Sequence, residues 1–545
     1  MTFRLALLMS GCAAVALAGS DKLSKDLSAA PPGSNVAVIV QYTRPPGQAD
    51  VNRLMGSGGW SIRMLSSLQG MAVHIPAARL ADLAASPEVA YITQDRPVRR
   101  SMDHTSPAVG ADVALSYGYN GKGVTVAVID SGIADHPDLR DASTGMSRVV
   151  YRESFVPPPE KDRYGHGTHV AGILAGTGKG SAGAFRGIAP QALLVDLQAL
   201  DENGIGSDSS VVQALERAIE LKERYGIRVV NLSLGRPVFE SYQLDPICRA
   251  AEAAWKAGLV VVVAAGNQGR SGFAGSDGYW TVTSPGNDPY VITVGAMRSM
   301  GTPGRGDDLV ASYSSKGPSL FDAVVKPDLV APGNQVKAPL ASPGCVLARE
   351  HPEAAVRNNS QYLVLSGTSM AAPVVSGTAA LLLEKEPGLT PDQVKYRLMK
   401  TATKNFPSTS IVVEPSTGQV FRSQYDVFTI GAGYLDILAA LSDRAAPLGP
   451  ALSPIAAPDV RTGQVVITAQ PSSAWITTGG LSAAWGSAVF VPTPASAAWG
   501  SSAAWGSSAA WGSSAAWGSS AAWGSSAAWG SSAAWGSSLA PMTEN

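Results

Sequence analysis

The chain has 545 residues, 41 of them basic and 42 acidic, which gives a formal net charge of −1 at pH 7. A balance this close to neutral gives no reason to expect a nucleic-acid partner, and the length allows two to four domains. Only 15% of the residues are charged, and the 58 Gly and 37 Pro indicate a chain rich in turns.

The N-terminus predicts an exported protein. Residues 1–18 carry one early basic residue, Arg4, then an apolar run from Leu5 to Leu17 and an Ala-Leu-Ala cleavage site, which together are typical of a secretory signal peptide. The run is too short to span a bilayer. A lipoprotein box that ends at Cys12 is the alternative, although it leaves an unusually short apolar core before the cut. The predicted location is therefore secreted or associated with the cell envelope.

Residues 35–100 are predicted to form a separate unit. The pattern predicts strands at 36–40, 60–68, 71–75 and 89–93, and helices at 48–55 and 76–85. This β-α-β-β-α-β order is that of a ferredoxin-like α+β sandwich. The polar and basic segment from Arg96 to His104 follows and is expected to be an exposed linker that proteases can cut. An N-terminal domain that stays attached is the alternative.

From Gly123 onward, short apolar runs alternate with helical stretches. The runs are 124–129, 192–197, 229–234, 259–265 and 290–294, and the helices include 209–225, 244–257, 391–403 and 434–441. Continuous apolar strands with helices between them indicate an α/β fold, in which helices cover both faces of a parallel sheet. This domain is predicted to span 105–443.

The remaining residues divide into a linker and a repeat. A linker is predicted at 444–495 and is marked by Pro447, Pro450, Pro454 and Pro458, with one or two possible short strands within 460–469. Residues 496–538 are a low-complexity repeat in which Trp recurs every six residues. Because six is a multiple of the strand period, these Trp would share one face of an extended chain. A β-stacked repeat, a stripe that contacts a cell surface or a polymer, and a disordered tail all remain open.

Several polar residues stand where predicted elements of the α/β domain begin or end. Asp130 ends the first buried strand and Asn267 follows a later one, so both are expected at the carboxyl edge of the sheet, where sites of open α/β sheets are built. His166 opens a helical segment between two glycines, whereas His169 is expected to pack inside. Two histidines three apart could ligate a metal, but the glutamate of an H-E-x-x-H motif is missing. No metal site is therefore predicted.

Ser369 lies in a small-residue turn at the start of an apolar helix. By itself it is either a helix cap or a nucleophile, because serine is a favoured N-cap and the N–H groups of a helix start can hold an oxyanion. An Asp, a His and a Ser at one sheet edge are what acyl transfer needs: the imidazole accepts the serine proton, and the carboxylate orients the imidazole. Asp130, His166 and Asn267 therefore favour the nucleophile.

Residues 123 to about 443 resemble a subtilisin-family serine protease. The resemblance rests on three motifs in the family's order, namely Val128-Ile129-Asp130-Ser131-Gly132, His166-Gly167-Thr168-His169-Val170-Ala171-Gly172 and Gly367-Thr368-Ser369-Met370-Ala371-Ala372-Pro373. It implies a subtilisin-like parallel sheet with helices on both faces, preceded by a ferredoxin-like prodomain. It also implies a catalytic triad of Asp130, His166 and Ser369, with Asn267 and the Ser369 backbone N–H as donors to the oxyanion.

The same resemblance implies where a substrate binds. The walls of the first specificity pocket are expected to be Ser233, Leu234, Gly235, Ala264, Ala265 and Gly266. Gly204 and Gly206 belong to an edge segment on which a peptide lies as an added strand. The expected substrates are extended segments of proteins or peptides.

Further implications concern the propeptide and calcium. The unit at 35–100 corresponds to a propeptide that inhibits the enzyme within its own chain and is removed by self-cleavage, here between Arg96 and His104. Asp138 matches a position that binds calcium in many relatives. The loop expected to carry an asparagine is, however, Gly176-Thr177-Gly178-Lys179-Gly180, which puts the usual calcium site in question. No cofactor is predicted to be required.

The predicted function is that of a secreted serine endopeptidase, which acts through an acyl-enzyme on Ser369 and is made as a self-processed zymogen. A sedolisin-type peptidase has a glutamate where His166 stands, which argues against that class. A catalytically silent surface protein that displays the Trp repeat is the alternative from another class. For Cys248 and Cys345, a disulfide and two buried thiols both remain open.

Overall fold

The structure, a computed structural model, describes residues 22–24, 27, 30–31, 33–95, 97–100, 108–157, 161–271, 276–300, 305–356, 359–414, 418–445, 449–459, 464–468 and 474. The predicted signal peptide, the lipoprotein alternative at Cys12 and the Trp repeat at 496–538 lie outside these residues. No helix within the described ranges is both long enough and apolar enough to cross a membrane.

The N-terminal unit has the predicted β-α-β-β-α-β order. Its elements are β1 (Asn35–Tyr42), α1 (Gln48–Gly56), β2 (Trp60–Leu65), β3 (Gly70–Pro76), α2 (Leu80–Ala84) and β4 (Val89–Gln94). The strands form an antiparallel sheet in the order β2-β3-β1-β4. The predicted strand 60–68 ends early because Ser66–Leu68 forms a 3₁₀ turn, which Gln69 closes in the left-handed region at φ 49°.

The domain that follows the N-terminal unit is built on a largely parallel sheet. Its elements up to the last strand of that sheet are β5 (Pro97–Arg100), α3 (Ala111–Ser116), β6 (Thr125–Asp130), β7 (Val149–Ser154), α4 (His166–Ala175), β8 (Leu193–Gln198), β9 (Ile205–Ser207), α5 (Asp208–Tyr225), β10 (Ile227–Leu232), β11 (Leu234–Gly235), α6 (Pro246–Lys256), β12 (Val260–Ala264), β13 (Ile292–Arg298), β14 (Leu309–Val310) and β15 (Leu329–Pro332). The strand order is β14-β13-β12-β10-β6-β8-β7, with β15 also on β13. Every residue of β6 and β12 is buried, which explains why these strands are continuously apolar rather than alternating.

The later elements complete this domain. They are β16 (Val336–Pro339), α7 (Val346–Glu350), β17 (Tyr362–Leu365), α8 (Thr368–Lys385), α9 (Pro391–Thr401), β18 (Thr409–Val413), β19 (Val420–Gln424), α10 (Val427–Ile430), α11 (Ile437–Ser442), β20 (Ile455–Asp459) and β21 (Gln464–Thr468). Helix α8 is buried along almost its whole length and packs on β10, β12, β13 and α4. It is the central helix of the domain, which is why its sequence is apolar on all sides.

The segment predicted as a linker begins with a part that packs against the domain. The hydroxyl of Ser453 donates to Asp328 Oδ1 at 2.5 Å and accepts from Lys395 Nζ at 2.9 Å, and all three residues are buried. The possible short strands predicted there correspond to the antiparallel pair β20 and β21. The compact part of the protein therefore continues past residue 443.

Cys248 and Cys345 are both free thiols and both buried. Of the two alternatives left by the sequence, the structure contains the unpaired thiols. Cys248 Sγ lies 3.3 Å from Asn287 Oδ1, to which it can donate.

Candidate active site

Asp130 and His166 meet at the carboxyl edge of the sheet, as predicted. Asp130 is the last residue of β6, and its Oδ1 lies 2.7 Å from His166 Nδ1. Both side chains are buried, His166 completely and Asp130 to 1% exposure. His166 is the first residue of α4, behind Gly165 at φ 103°. Gly167 brings this helix start against β6, because a Cβ there would lie 2.1 Å from the Gly132 carbonyl oxygen.

A buried carboxylate that the sequence did not single out orients the turn before His166. Asp162 accepts from Gly165 N at 2.6 Å and Ser131 Oγ at 2.9 Å, and also from the backbone and hydroxyl of Thr168. Burial raises the pKa of the Asp162 carboxyl to about 6. The signal available in the sequence was an aspartate just ahead of a helix start, a position where carboxylates commonly satisfy free N–H groups.

Ser369 is the second residue of α8, and the N-cap position is held by Gly367. The serine is therefore not the cap of its helix. Its Oγ donates to the Ser233 carbonyl oxygen at 3.1 Å. His166 Nε2, although buried, has no hydrogen-bond partner among the described residues. The hydroxyl and the imidazole are thus not bonded in this conformation, as is frequent in peptidase sites without a substrate.

Asn267 presents an unused donor beside the start of α8. Its Oδ1 accepts from both the backbone N–H and the hydroxyl of Thr368, each at 2.9 Å. Because an N–H can only donate, these contacts identify the oxygen of the amide and leave Nδ2 on the other side. Nδ2 is buried and meets no acceptor among the described residues.

A strand from the N-terminal part of the chain lies between the two predicted edges of the cleft. β5 pairs in antiparallel fashion with β9 on one side and β11 on the other. Arg99 stands opposite Ile205 and Gly235, and Arg100 stands opposite Leu234. The expectation of an exposed linker is therefore wrong for 97–100, because two strand edges with free N–H and C=O groups hold this segment. Residue 96 and residues 101–104 lie outside the described part of the chain.

Two of the predicted wall residues, Leu234 and Gly235, form β11, which pairs with β5. Ser233, Leu234 and Gly235 form one side, and Ala264, Ala265 and Gly266 end β12 and continue beyond it. Gly204 has φ 70°, which favours glycine, and Gly206 allows close approach because a Cβ would lie 2.2 Å from the Ala199 carbonyl oxygen.

The carboxylate of Asp138 is already satisfied by protein donors. Gly180 N donates to its Oδ1 at 2.8 Å, and the Tyr362 hydroxyl donates to its Oδ2 at 2.9 Å. A calcium site needs six to eight oxygen ligands, whereas here N–H and O–H groups point at the carboxylate. No group of three or more His, Cys, Asp or Glu that could hold a metal ion occurs among the described residues. These residues do not fit a calcium ion.

His169 packs inside, as predicted. It is fully buried, and its Nε2 lies 3.2 Å from the Leu363 carbonyl oxygen. Burial lowers the pKa of the His169 imidazole to about 3, and the neighbouring His166 adds to the effect.

Comparison with known proteins gives the same family as the sequence motifs. Residues 121–417 match the model of the subtilase family, Peptidase_S8. The chain is 38% identical over 335 residues to the serine protease AprX of Bacillus subtilis (strain 168), covering 60% of this chain and 72% of AprX. It is 34% identical over 353 residues to subtilisin E of the same organism, covering 64% of this chain and 78% of subtilisin E. Among solved structures, fervidolysin from Fervidobacterium pennivorans, described as a keratinolytic enzyme related to subtilisin, has a similar fold with a TM-score of 0.57 at 22% identity, and the match covers 78% of this chain and 63% of fervidolysin.

Proposed function

The chain belongs to the subtilase family of serine peptidases, and we propose on this premise that Asp130, His166 and Ser369 are its catalytic triad. The protein is a serine endopeptidase that acts on protein substrates. The observation that carries the assignment is the buried contact of 2.7 Å between Asp130 Oδ1 and His166 Nδ1, with Ser369 at the start of the central helix. In a serine peptidase that contact holds the imidazole with Nε2 free to accept the serine proton.

The oxyanion has two candidate donors. One is Asn267 Nδ2, which is buried and unused. The other is the backbone N–H of Ser369, since the first N–H groups of a helix have no partner within the helix. During attack, Ser369 Oγ forms a bond to the substrate carbonyl carbon and passes its proton to His166. The carbonyl oxygen then becomes the oxyanion, and His166 returns the proton to the leaving amine.

A fluorophosphonate probe tests the triad. It should label the wild-type protein at Ser369 and leave Ser369→Ala and His166→Ala unlabelled, while Ser376→Ala, which changes another buried serine of α8, should still be labelled. Absence of labelling in processed wild-type protein would instead support the alternative of a silent surface protein.

We further propose that the N-terminal unit is a propeptide that inhibits the enzyme until it is cut. The support is its packing: Ile39, Leu65 and Leu68 share one apolar cluster with residues of the peptidase domain. Asp95 Oδ1 accepts from Ser209 N at 2.7 Å, at the N-terminal end of α5, where a carboxylate is favourable. β5 continues from this unit into the cleft.

The register of β5 suggests the position of the cut. Leu234 pairs with Arg100 and Gly235 with Arg99, so β5 runs antiparallel to β11 and toward Ser233. The Ser233 carbonyl oxygen lies 3.1 Å from Ser369 Oγ. This direction of β5 supports our proposal that the cut lies between Arg96 and His104.

The proposal also covers export, the Trp repeat and the predicted calcium position. Residues 1–18 direct export, with the lipoprotein at Cys12 as the alternative. The Trp repeat at 496–538 contacts a cell surface or a polymer beside the catalytic function. Asp138 does not bind calcium, because its carboxylate accepts hydrogen bonds from Gly180 and Tyr362 instead.

A further inference from the structure

The two proposed walls of the first specificity pocket are connected by the backbone of one short segment, 283–284. The wall at 233–235 continues into Arg236, whose N–H donates to the Ser284 carbonyl oxygen at 3.1 Å. On the other wall, the Ala265 carbonyl oxygen accepts from Thr283 N at 3.0 Å. The segment at 283–284 is therefore bonded to both walls, and it carries Thr283 between them.

The Thr283 side chain fills the space that the wall glycines leave open. A Cβ built on Gly235 would lie 2.6 Å from Thr283 Oγ1, and a Cβ built on Gly266 would lie 2.8 Å from Thr283 Cγ2. The hydroxyl and the methyl group of one threonine thus face the two opposite walls. Ser315 Oγ adds a polar atom at the same place, 2.9 Å from the Cβ position of Gly266.

We propose that Thr283 closes the first specificity pocket and makes the protein cleave after small side chains, namely Gly, Ala or Ser. The inference rests on the proposed function, since it takes the slot between these walls as the pocket for the residue before the cut. Interiors tolerate added volume poorly, so a Phe or Leu side chain cannot enter without displacing a threonine whose backbone is bonded to the wall.

The chain's own sequence agrees with this preference. The propeptide is proposed to be cut within 96–104, and this segment includes the small residue Ser101. The same segment contains neither Phe nor Leu.

The test is cleavage of a matched peptide series that differs only at the residue before the cut. Wild-type protein is expected to cleave Ala and Ser peptides at least about tenfold faster, in kcat/KM, than Phe and Leu peptides, which is the range that a pocket can discriminate by size. Thr283→Gly should shift the Phe-to-Ala ratio of kcat/KM upward by about tenfold or more, and Thr283→Ser, which removes only the methyl group, should give a smaller shift.

Thr281→Gly is the matched control, because it removes the same atoms from a threonine whose hydroxyl donates to the Gly278 carbonyl oxygen instead. Its Phe-to-Ala ratio should equal that of wild type. Wild-type preference for Phe or Leu, or an unchanged ratio in Thr283→Gly, would overturn the inference while fluorophosphonate labelling still supports the peptidase. Loss of both labelling and cleavage in wild type would instead overturn the proposed function.

Discussion

The hydroxyl of Ser233 donates to the backbone carbonyl oxygen of Ser369 at 2.7 Å. In an uninterrupted helix that carbonyl would accept from the N–H four residues later, but the residue there is Pro373, which has none. The proline thus frees the Ser369 carbonyl, and a serine from the pocket wall satisfies it. This bond connects the proposed nucleophile to the residue just before β11, the strand that is proposed to bind the substrate.

Replacing Ser233 by alanine should therefore destabilise the domain. The change leaves a buried carbonyl oxygen without its donor, which typically costs about 1–3 kcal/mol in the free energy of unfolding. Denaturant unfolding in a Ser369→Ala background, which prevents self-digestion, measures the effect. Ser143→Ala, an exposed serine on a surface turn, is the control, and equal stabilities of the two variants would contradict the prediction.

Removing the amide donor of Asn267 should slow catalysis by about a hundredfold to a thousandfold, the usual cost of one oxyanion donor. Asn267→Asp is the sharper variant, because a carboxylate oxygen can still accept from Thr368 while the Nδ2 donor is lost. Both Asn267→Ala and Asn267→Asp should show the loss in kcat with a folded protein by circular dichroism. Turnover like that of wild type would exclude Asn267 as a donor.

Processing should depend on Ser369. The full chain with Ser369→Ala should keep its N-terminal unit, whereas wild-type protein should yield a mature form that has been cut between Arg96 and His104. Intact mass and N-terminal sequencing distinguish the two. Equal processing of both would indicate that another protease makes the cut, and a mature N-terminus elsewhere would refute the proposed cleavage segment.

A chelator should leave stability and activity unchanged. Gly180 and Tyr362 occupy both oxygens of Asp138, so EDTA and added calcium should give melting temperatures within about 1 °C of each other, where a ligand present well above its Kd would add several degrees. In contrast, Tyr362→Phe should lower stability by about 1 kcal/mol. Calcium-dependent melting of wild type would show that a metal site exists.

Acid should destabilise the protein in part through His169. Its pKa is about 3 in the folded state and 6.5 in the unfolded state, so the folded protein binds fewer protons and stability is lost as the pH falls below 6.5. At pH 5 the loss is about 2 kcal/mol.

His169→Gln can still donate to the Leu363 carbonyl oxygen but does not titrate, so its unfolding free energy should fall less between pH 7 and pH 5. Denaturant unfolding at the two pH values, in a Ser369→Ala background, measures the difference. Parallel losses in the two proteins would mean that His169 does not carry this part of the acid sensitivity.

Much of the fold could be predicted because it follows from local patterns. Runs such as Val260–Ala264 are apolar throughout, and this requires a strand covered on both faces. The contact between Asp130 and His166 could also be anticipated, because Asp130 ends a parallel strand and helices that follow such strands begin near the same carboxyl edge.

The sequence by itself determined the order of elements, the family and the identities of the proposed triad, since these depend on short motifs and on strand and helix periodicity. Only the tertiary structure decided that β5 lies in the cleft, that Tyr362 satisfies Asp138, and that Thr283 stands between Gly235 and Gly266. These contacts join residues that are between 17 and 224 positions apart in the chain. No local pattern encodes which distant side chain fills a given space.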